Sequence, residues 1–270
     1  MNNGPSHDRP AHIRLRDVRM AFEDRRVFED LSCEFPRGEI SVILGGSGVG
    51  KSTLLRLIAG LARPEAGAVE VAGREITALN ERELRGVRAR IGMLFQGGAL
   101  LDSLSIFDNL ALPLREHRQL DRDAIRTAVR ERLESVGLDA EVARLLPSQL
   151  SGGMLRRAAL ARAMMLDPEI LLCDEPFSGL DPASLRRIET LLLDVNRKLG
   201  ITIVIISHHI ASTLRLASHT LLLLPDRCVS GRPQVLRASS DRDVAEFFDE
   251  ELGADPRVSR EVATGEAPSC

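Results

Sequence analysis

The run Ile40-Ser41-Val42-Ile43-Leu44 passes without a break into Gly45-Gly46-Ser47-Gly48-Val49-Gly50-Lys51-Ser52 and then into Thr53-Leu54-Leu55. A short continuous apolar run suits a strand buried on both faces, which is the habit of parallel sheets. The glycines after it let the backbone turn tightly with its N–H groups facing inward, and a helix is expected from Lys51 to Ala59, closed by Gly60. Strand, glycine loop and helix N-terminus together make a cradle for phosphate. The chain is thereby committed to an α/β fold.

The remaining sequence agrees with this class. Apolar residues alternate with charged turns from Ile13 to Phe35, as in an antiparallel β-region. Strands are expected at Gly67–Val71 and Ile91–Phe95, with a polar helix near Asn80–Arg85 between them. Asp121 can cap a helix that keeps apolar spacing through Ile125, Val129, Leu133 and Val136 before Gly137. Helix and strand then alternate: Ser151–Met165 (helix), Ile170–Cys173, Pro182–Leu199 (helix), Ile201–Ile206, Ile210–Ala217 (helix) and His219–Leu224. Such alternation implies a parallel sheet with helices on its faces. Asp241–Leu252 reads as an amphipathic helix carrying Val244, Phe247, Phe248 and Leu252, and Gly253–Cys270 has too few large apolar residues to fold alone.

At 270 residues, with 44% hydrophobic content and a net charge of −3, the chain can bury a large core and lacks the charge of a nucleic-acid or anionic-membrane binder. Met1–Pro10 has no apolar signal core and no apolar run reaches bilayer length, so a cytosolic protein is expected. Cys33, Cys173, Cys228 and Cys270 form no C-x-x-C pair; the first three are expected in the core or in strands and Cys270 as a free tail thiol. Positive charge is almost wholly arginine. One of the two lysines, Lys51, sits inside the glycine loop, where a compact ammonium suits phosphate.

Three sets of residues carry chemistry. In the phosphate-loop reading, Gly45, Gly46, Ser47, Gly48, Val49 and Gly50 present backbone to a nucleotide with Thr53 beside them, Lys51 bridges the β- and γ-phosphates, and Ser52 ligates Mg²⁺. Ile170–Asp174 is a strand that delivers Asp174 to the sheet edge beside that loop, where it can hold Mg²⁺ through water, and the acid Glu175 follows. Ser151-Gly152-Gly153 opens a helix, so its free N–H groups form a second anion site.

The phosphate loop, then Leu150-Ser151-Gly152-Gly153-Met154, then Cys173-Asp174-Glu175-Pro176, in this order, resemble the ATP-binding cassette (ABC) ATPases. The resemblance covers about Ile13 to Val235. It implies an ABC-type P-loop NTPase with a RecA-like parallel sheet core, an antiparallel β-subdomain and a helical subdomain over about 97–165. The domain plan is then a flexible start at 1–12, the ATPase domain at 13–238, and a C-terminal helix and tail at 239–270 available to a partner. The family pattern makes ATP and Mg²⁺ the cofactors, Glu175 the catalytic carboxylate that deprotonates water, Gln96 the sensor of Mg²⁺ and of that water, and His208 the switch that contacts the γ-phosphate. Phe22 is placed to stack on adenine. Ser151, Gly152 and Gly153 would close over ATP held by the other subunit, and Ser178-Gly179-Leu180-Asp181 would cross the dimer interface. Met154 stands where Gln is usual and His209 where Asp is usual; His209 leaves open how the next helix is capped and which histidine acts.

Phe95–Leu101, Phe107-Asp108-Asn109, Leu112–His117 and Met154–Ala163 further resemble the ATPases of Mla systems, which maintain outer-membrane lipid asymmetry. That implies a homodimer under an inner-membrane permease dimer, with an MCE-domain lipid-binding protein and a STAS-domain subunit, and no nucleic acid. A transporter ATPase for an amino acid or peptide stays open, because a cassette has no cargo pocket. A non-transport ABC ATPase would need a long coiled-coil insertion or a second cassette, and the chain has neither.

Overall fold

The computed structural model describes residues 10–22 and 25–253, with side chains to residue 250. The expectations for Met1–Arg9, for Leu252 as an apolar anchor and for the tail with Cys270 lie outside the described residues. Strands β1 (Ala11–Phe22) and β2 (Arg25–Pro36) pair antiparallel. β1 starts within the segment expected to be flexible, and His12 is buried. β3 (Ile40–Gly45) is buried throughout and leads through the glycine loop into α1 (Lys51–Ile58). β4 (Ala66–Val71) and β5 (Arg74–Glu75) complete a four-stranded antiparallel sheet in the order β2-β1-β4-β5. α2 (Glu81–Arg88), opened by an Asn80–Glu83 capping box, runs three residues beyond the expected Arg85 and precedes β6 (Ile91–Leu94).

Two helices were not foreseen: the Pro233–Arg237 helix is five residues long and carries too short a pattern to read, and α3 (Ile106–His117) contains Pro113, which reads as a breaker. Ser105 caps it, its Oγ accepting the Asp108 N–H at 3.1 Å, and the buried face of Ile106, Leu110 and Leu114 outweighs the one lost hydrogen bond. α4 (Arg122–Ser135) is capped by Asp121 as expected. Two 3-10 turns lead to α5 (Gly152–Ala163), and α3, α4 and α5 pack on one another. β7 (Ile170–Asp174), α6 (Pro182–Leu199), β8 (Thr202–Ile206), α7 (Ile210–Leu216) and β9 (His219–Leu223) follow the expected alternation.

The sheet is not wholly parallel. β10 (Cys228–Gly231) adds antiparallel to β9, giving the order β10-β9-β3-β8-β7-β6. α8 (Pro233–Arg237) and α9 (Arg242–Gly253) end the described chain. α9 is not detached: Val244 and Phe248 are buried in the main core.

The period of two along each strand assigns the layers. Val42, Leu44, Leu171, Cys173, Ile203 and Ile205 face the layer of α3 to α9. Ile43, Leu172, Val204 and Ile206 face α1, α2 and the antiparallel sheet, which contributes Ile13, Leu15, Val18 and Phe35. Two apolar faces on one sheet explain why these strands read as unbroken apolar runs.

At the edge opposite the glycine loop, the buried His12 holds Thr202 Oγ1 at 2.6 Å from Nδ1, and Nε2 is 3.8 Å from Glu169. Burial first, then the charge of Arg37, holds this imidazole below its ordinary pKa of 6.5, against the opposing pull of Glu169. The folded protein therefore prefers neutral His12. Its contribution to stability is complete above the unfolded pKa and is lost as pH falls from there through the lower folded value. Melting temperatures of wild type and His12→Gln, compared from about pH 8 to about pH 5, should show the wild type losing more stability on acidification. Parallel curves would show that His12 does not titrate differently on folding.

Candidate functional site

β3, β8, β7 and β6 lie side by side, and the carboxyl end of each delivers one part of a cleft of ≈ 970 Å³. The glycine loop follows β3, His208 follows β8, Asp174 and Glu175 end β7, and Gln96 follows β6. Carboxyl strand edges are where open α/β sheets hold ligands.

Ser47, Gly48, Gly50, Lys51, Ser52 and Thr53 all line this cleft. Gly45, Gly46 and Val49, also expected at the site, belong to the same loop but do not line the cleft, and Val49 packs against the core. Gly50 has φ 110°, and a Cβ there would stand 2.6 Å from Val27 Cγ1 and 2.8 Å from the Phe28 ring, so only glycine fits. Lys51 is 7% exposed and its Nζ donates to Gly45 O at 2.7 Å and Gly46 O at 2.9 Å. Its ammonium is thus held inside the curl of the loop, where phosphate oxygens would compete for it.

Asp174 is half-buried, and burial pushes its carboxyl above the ordinary range, opposed by the Ser52 hydroxyl bonded to it and by the charges of Arg56 and Lys51. A hydroxyl against a carboxylate that burial penalises is a donor set that suits a divalent cation. Among the described residues no cluster of three or more His, Cys, Asp or Glu could cage a metal. The donors instead fit Mg²⁺, which keeps waters and binds through one or two protein oxygens plus phosphate.

Glu175 takes φ 48°, a left-handed conformation that costs an L-residue about 1–2 kcal/mol. Its N–H donates to Ile206 O at 3.0 Å, which fixes the turn against β8. Its Oε1 lies 3.3 Å from His208 Nε2. The two histidines are distinguished by this geometry. His208 faces Glu175, whereas His209 Nδ1 accepts the Ser212 N–H at 3.1 Å and caps α7. An imidazole acceptor does there what a carboxylate cap would do, with the ring proton on Nε2.

Phe22, 47% exposed, and Gln96 border the cleft as expected. Arg25 was not foreseen: it lines the cleft and donates from Nη2 to Gly48 O at 2.9 Å. No motif marks it; only the hairpin pairing of Phe22 with Arg25 brings it there. Val27, Phe177 and Ser207 also line the cleft without a sequence signal.

Ser151, Gly152, Gly153 and Asp181 do not line it. Ser151 caps α5, its Oγ accepting the Met154 N–H at 3.3 Å. A Cβ at Gly152 would meet open space, whereas one at Gly153 would stand 2.5 Å from Ser184 Oγ. Asp181 caps α6 by accepting from Ala183 and Ser184 N–H at 2.9 and 3.0 Å, and the bonds from Ser184 hold its carboxyl below the usual range. The second anion site of this chain is exposed and separate from the first.

Comparison with known proteins identifies the family. Residues 28–178 match the family model described as ABC transporter. The phospholipid transport ATP-binding protein MlaF of Escherichia coli K12 is 43% identical over 238 residues, 88% of each chain. A probable ribonucleotide transport ATP-binding protein, mkl, of Mycobacterium leprae is 39% identical over 236 residues, 87% of this chain and 68% of that one. Among solved structures, the ATP-binding cassette MJ0796, a dimer bound to ADP and Pi, has a TM-score of 0.75 at 28% identity, covering 82% of this chain and 98% of its own. The chain belongs to the ABC transporter ATP-binding family and has its ATPase fold.

Proposed function

We propose that this chain is the ATP-hydrolysing subunit of an inner-membrane transporter that moves phospholipid, and that it works as a homodimer beneath a permease dimer. The observation that carries the enzymatic part is the convergence of Lys51, Ser52, Asp174, Glu175 and His208 on one cleft from three adjacent strand ends. The cargo reading is supported by the 43% identity to a phospholipid transport ATPase across 88% of the chain.

In this reading the backbone from Gly45 to Gly50 surrounds the phosphates, with Ser47 and Thr53 at its margins, and Phe22 stacks on adenine. Lys51 leaves its two carbonyls for the β- and γ-phosphates. Ser52, Asp174 and Gln96 would hold Mg²⁺, which when bound would supply positive charge against the phosphates. Glu175 accepts the proton of the attacking water, and His208, held beside it, contacts the γ-phosphate. Ser151, Gly152, Gly153 and Asp181 act on the nucleotide of the other subunit. Residues 13–238 form the ATPase domain, 97–165 its helical part, and 239–270 a segment that meets a partner. Among the described residues no helix is long and apolar enough to cross a membrane. Membrane attachment, at the cytoplasmic face, is through the permease, and a STAS-domain subunit and an MCE-domain lipid-binding protein complete the assembly.

The test is reconstitution of the chain with its co-purified permease in liposomes, following labelled phospholipid. ATP-dependent lipid movement is expected, and it should vanish with Glu175→Gln. ATPase stimulation by a soluble solute such as a ribonucleotide or an amino acid, with no lipid movement in either direction, would sink the cargo reading and leave the ATPase intact.

A further inference from the structure

The segment from Phe95 to Ser105 runs from the cleft to α3 without regular secondary structure, yet backbone groups of Phe95, Gly98, Ala99, Leu101, Leu104 and Ser105 are held by hydrogen bonds. Arg156 on α5 is 7% exposed; it donates from Nη1 to Phe95 O at 3.4 Å and from Nη2 to Ser178 O at 3.2 Å. Arg162, further along the same helix, donates to Ala99 O at 2.8 Å and Gly98 O at 3.3 Å. Gly98, at φ 88°, lies so close to α5 that a Cβ would stand 3.1 Å from Ala159 Cβ. The fully buried Asn109 accepts the Leu101 N–H at 2.7 Å and donates to the carbonyls of Leu101, Leu104 and Ser105.

Burying a guanidinium is costly, and an apolar side chain would fill the space at lower cost. No carboxylate is bonded to Arg156 among the described residues, so its bonds are two backbone carbonyls on two different loops. One carbonyl precedes Gln96 and the other belongs to the Ser178–Asp181 loop. The helix that carries Arg156 begins at Ser151. A planar fork can span two carbonyls at once, whereas an ammonium is a point donor.

We propose that Arg156 is a positioning residue that joins the Gln96 loop, the Ser178–Asp181 loop and the Ser151 helix into one body, with Arg162 locking Gly98 and Ala99 to the same helix. The functional consequence rests on the roles proposed above for Gln96, Ser151 and Asp181. A nucleotide that moves Gln96 then moves, through Arg156, both elements offered to the second subunit. Arg156 lies outside the cleft lining and acts by keeping three parts of the fold in register.

The test uses the full chain assembled with its permease and reads amide hydrogen exchange, ATP affinity, KM and kcat. Arg156→Gln should speed exchange about tenfold in both 97–104 and 178–181. It should lower kcat about tenfold or more with ATP affinity and KM within about twofold of wild type, as expected when geometry rather than binding is lost. Arg162→Gln should loosen 97–104 alone. Arg156→Lys should restore one loop and part of kcat. Unchanged exchange at 178–181 in Arg156→Gln, wild-type kcat with both loops loosened, or a loss of kcat matched by a loss of ATP affinity would each overturn the proposal. Should Arg156→Gln fail to fold, wild-type exchange and kcat in Arg156→Lys would overturn it equally. A Gln96→Ala control with full kcat would instead mark failure of the role given to Gln96, and the exchange data would then decide the Arg156 link.

Discussion

Glu175→Gln, in the chain assembled with its permease, is expected to bind Mg²⁺ and ATP as the wild type does and to hydrolyse ATP about a hundred- to ten-thousandfold more slowly. The change replaces a carboxylate oxygen by an amide group of the same shape. The turn that presents it depends on backbone bonds, from Glu175 N–H to Ile206 O and from Ser178 N–H to Glu175 O, and these do not involve the side chain. The loop with Lys51 and the Ser52–Asp174 pair is untouched, so the phosphate cradle keeps its affinity. An amide oxygen can still lie near His208, but it cannot take a proton from water. Turnover near the wild-type rate would remove Glu175 from the role of base. Loss of ATP binding would show that it holds the nucleotide rather than attacks it through water.

The parts of this site that were legible in the sequence are those whose chemistry needs a fixed order of residues along one turn. A buried strand followed by a glycine loop, or by two acids, leaves little freedom, so the order of residues alone puts Lys51, Asp174 and Glu175 at strand ends. His208 and Gln96 are picked out by the family pattern together with their positions after strands, yet only the structure separates His208 from His209, because a histidine ring can cap a helix as well as face a carboxylate. Arg25 and Arg156 were not legible as contacts. Both bond backbone carbonyls far along the chain, at Gly48, Phe95 and Ser178, and a carbonyl acceptor leaves no residue-type signal. α3 was hidden for a different reason. Its pattern is sound, but Pro113 argues locally for an end that packing on α4 and α5 overrides. The antiparallel β10 was missed because four residues at a sheet edge carry too short a pattern to read.

The separation of Ser151 from the cleft that holds Lys51 leads to the second large effect. Ser151 and Gly152 are exposed, and the start of α5 offers its N–H groups and dipole to solvent in a single chain. If each ATP lies between the Lys51 loop of one subunit and the Ser151 turn of the other, a two-fold dimer has two identical composite sites. Lys51→Ala alone damages both, and so does Ser151→Arg alone, the latter also costing about 1 kcal/mol of helix cap. A mixed dimer with one chain of each kind concentrates both lesions in one site and leaves the other with Lys51 and Ser151 intact. In a Glu175→Gln background, which stops turnover, the mixed dimer should therefore close on a single ATP while neither homodimer closes. Were each site built within one chain, the mixed dimer would hold two damaged sites and would not close. Counting bound nucleotide in dimers purified by two different tags separates these outcomes, because arrangement in trans predicts rescue by mixing and arrangement in cis predicts none.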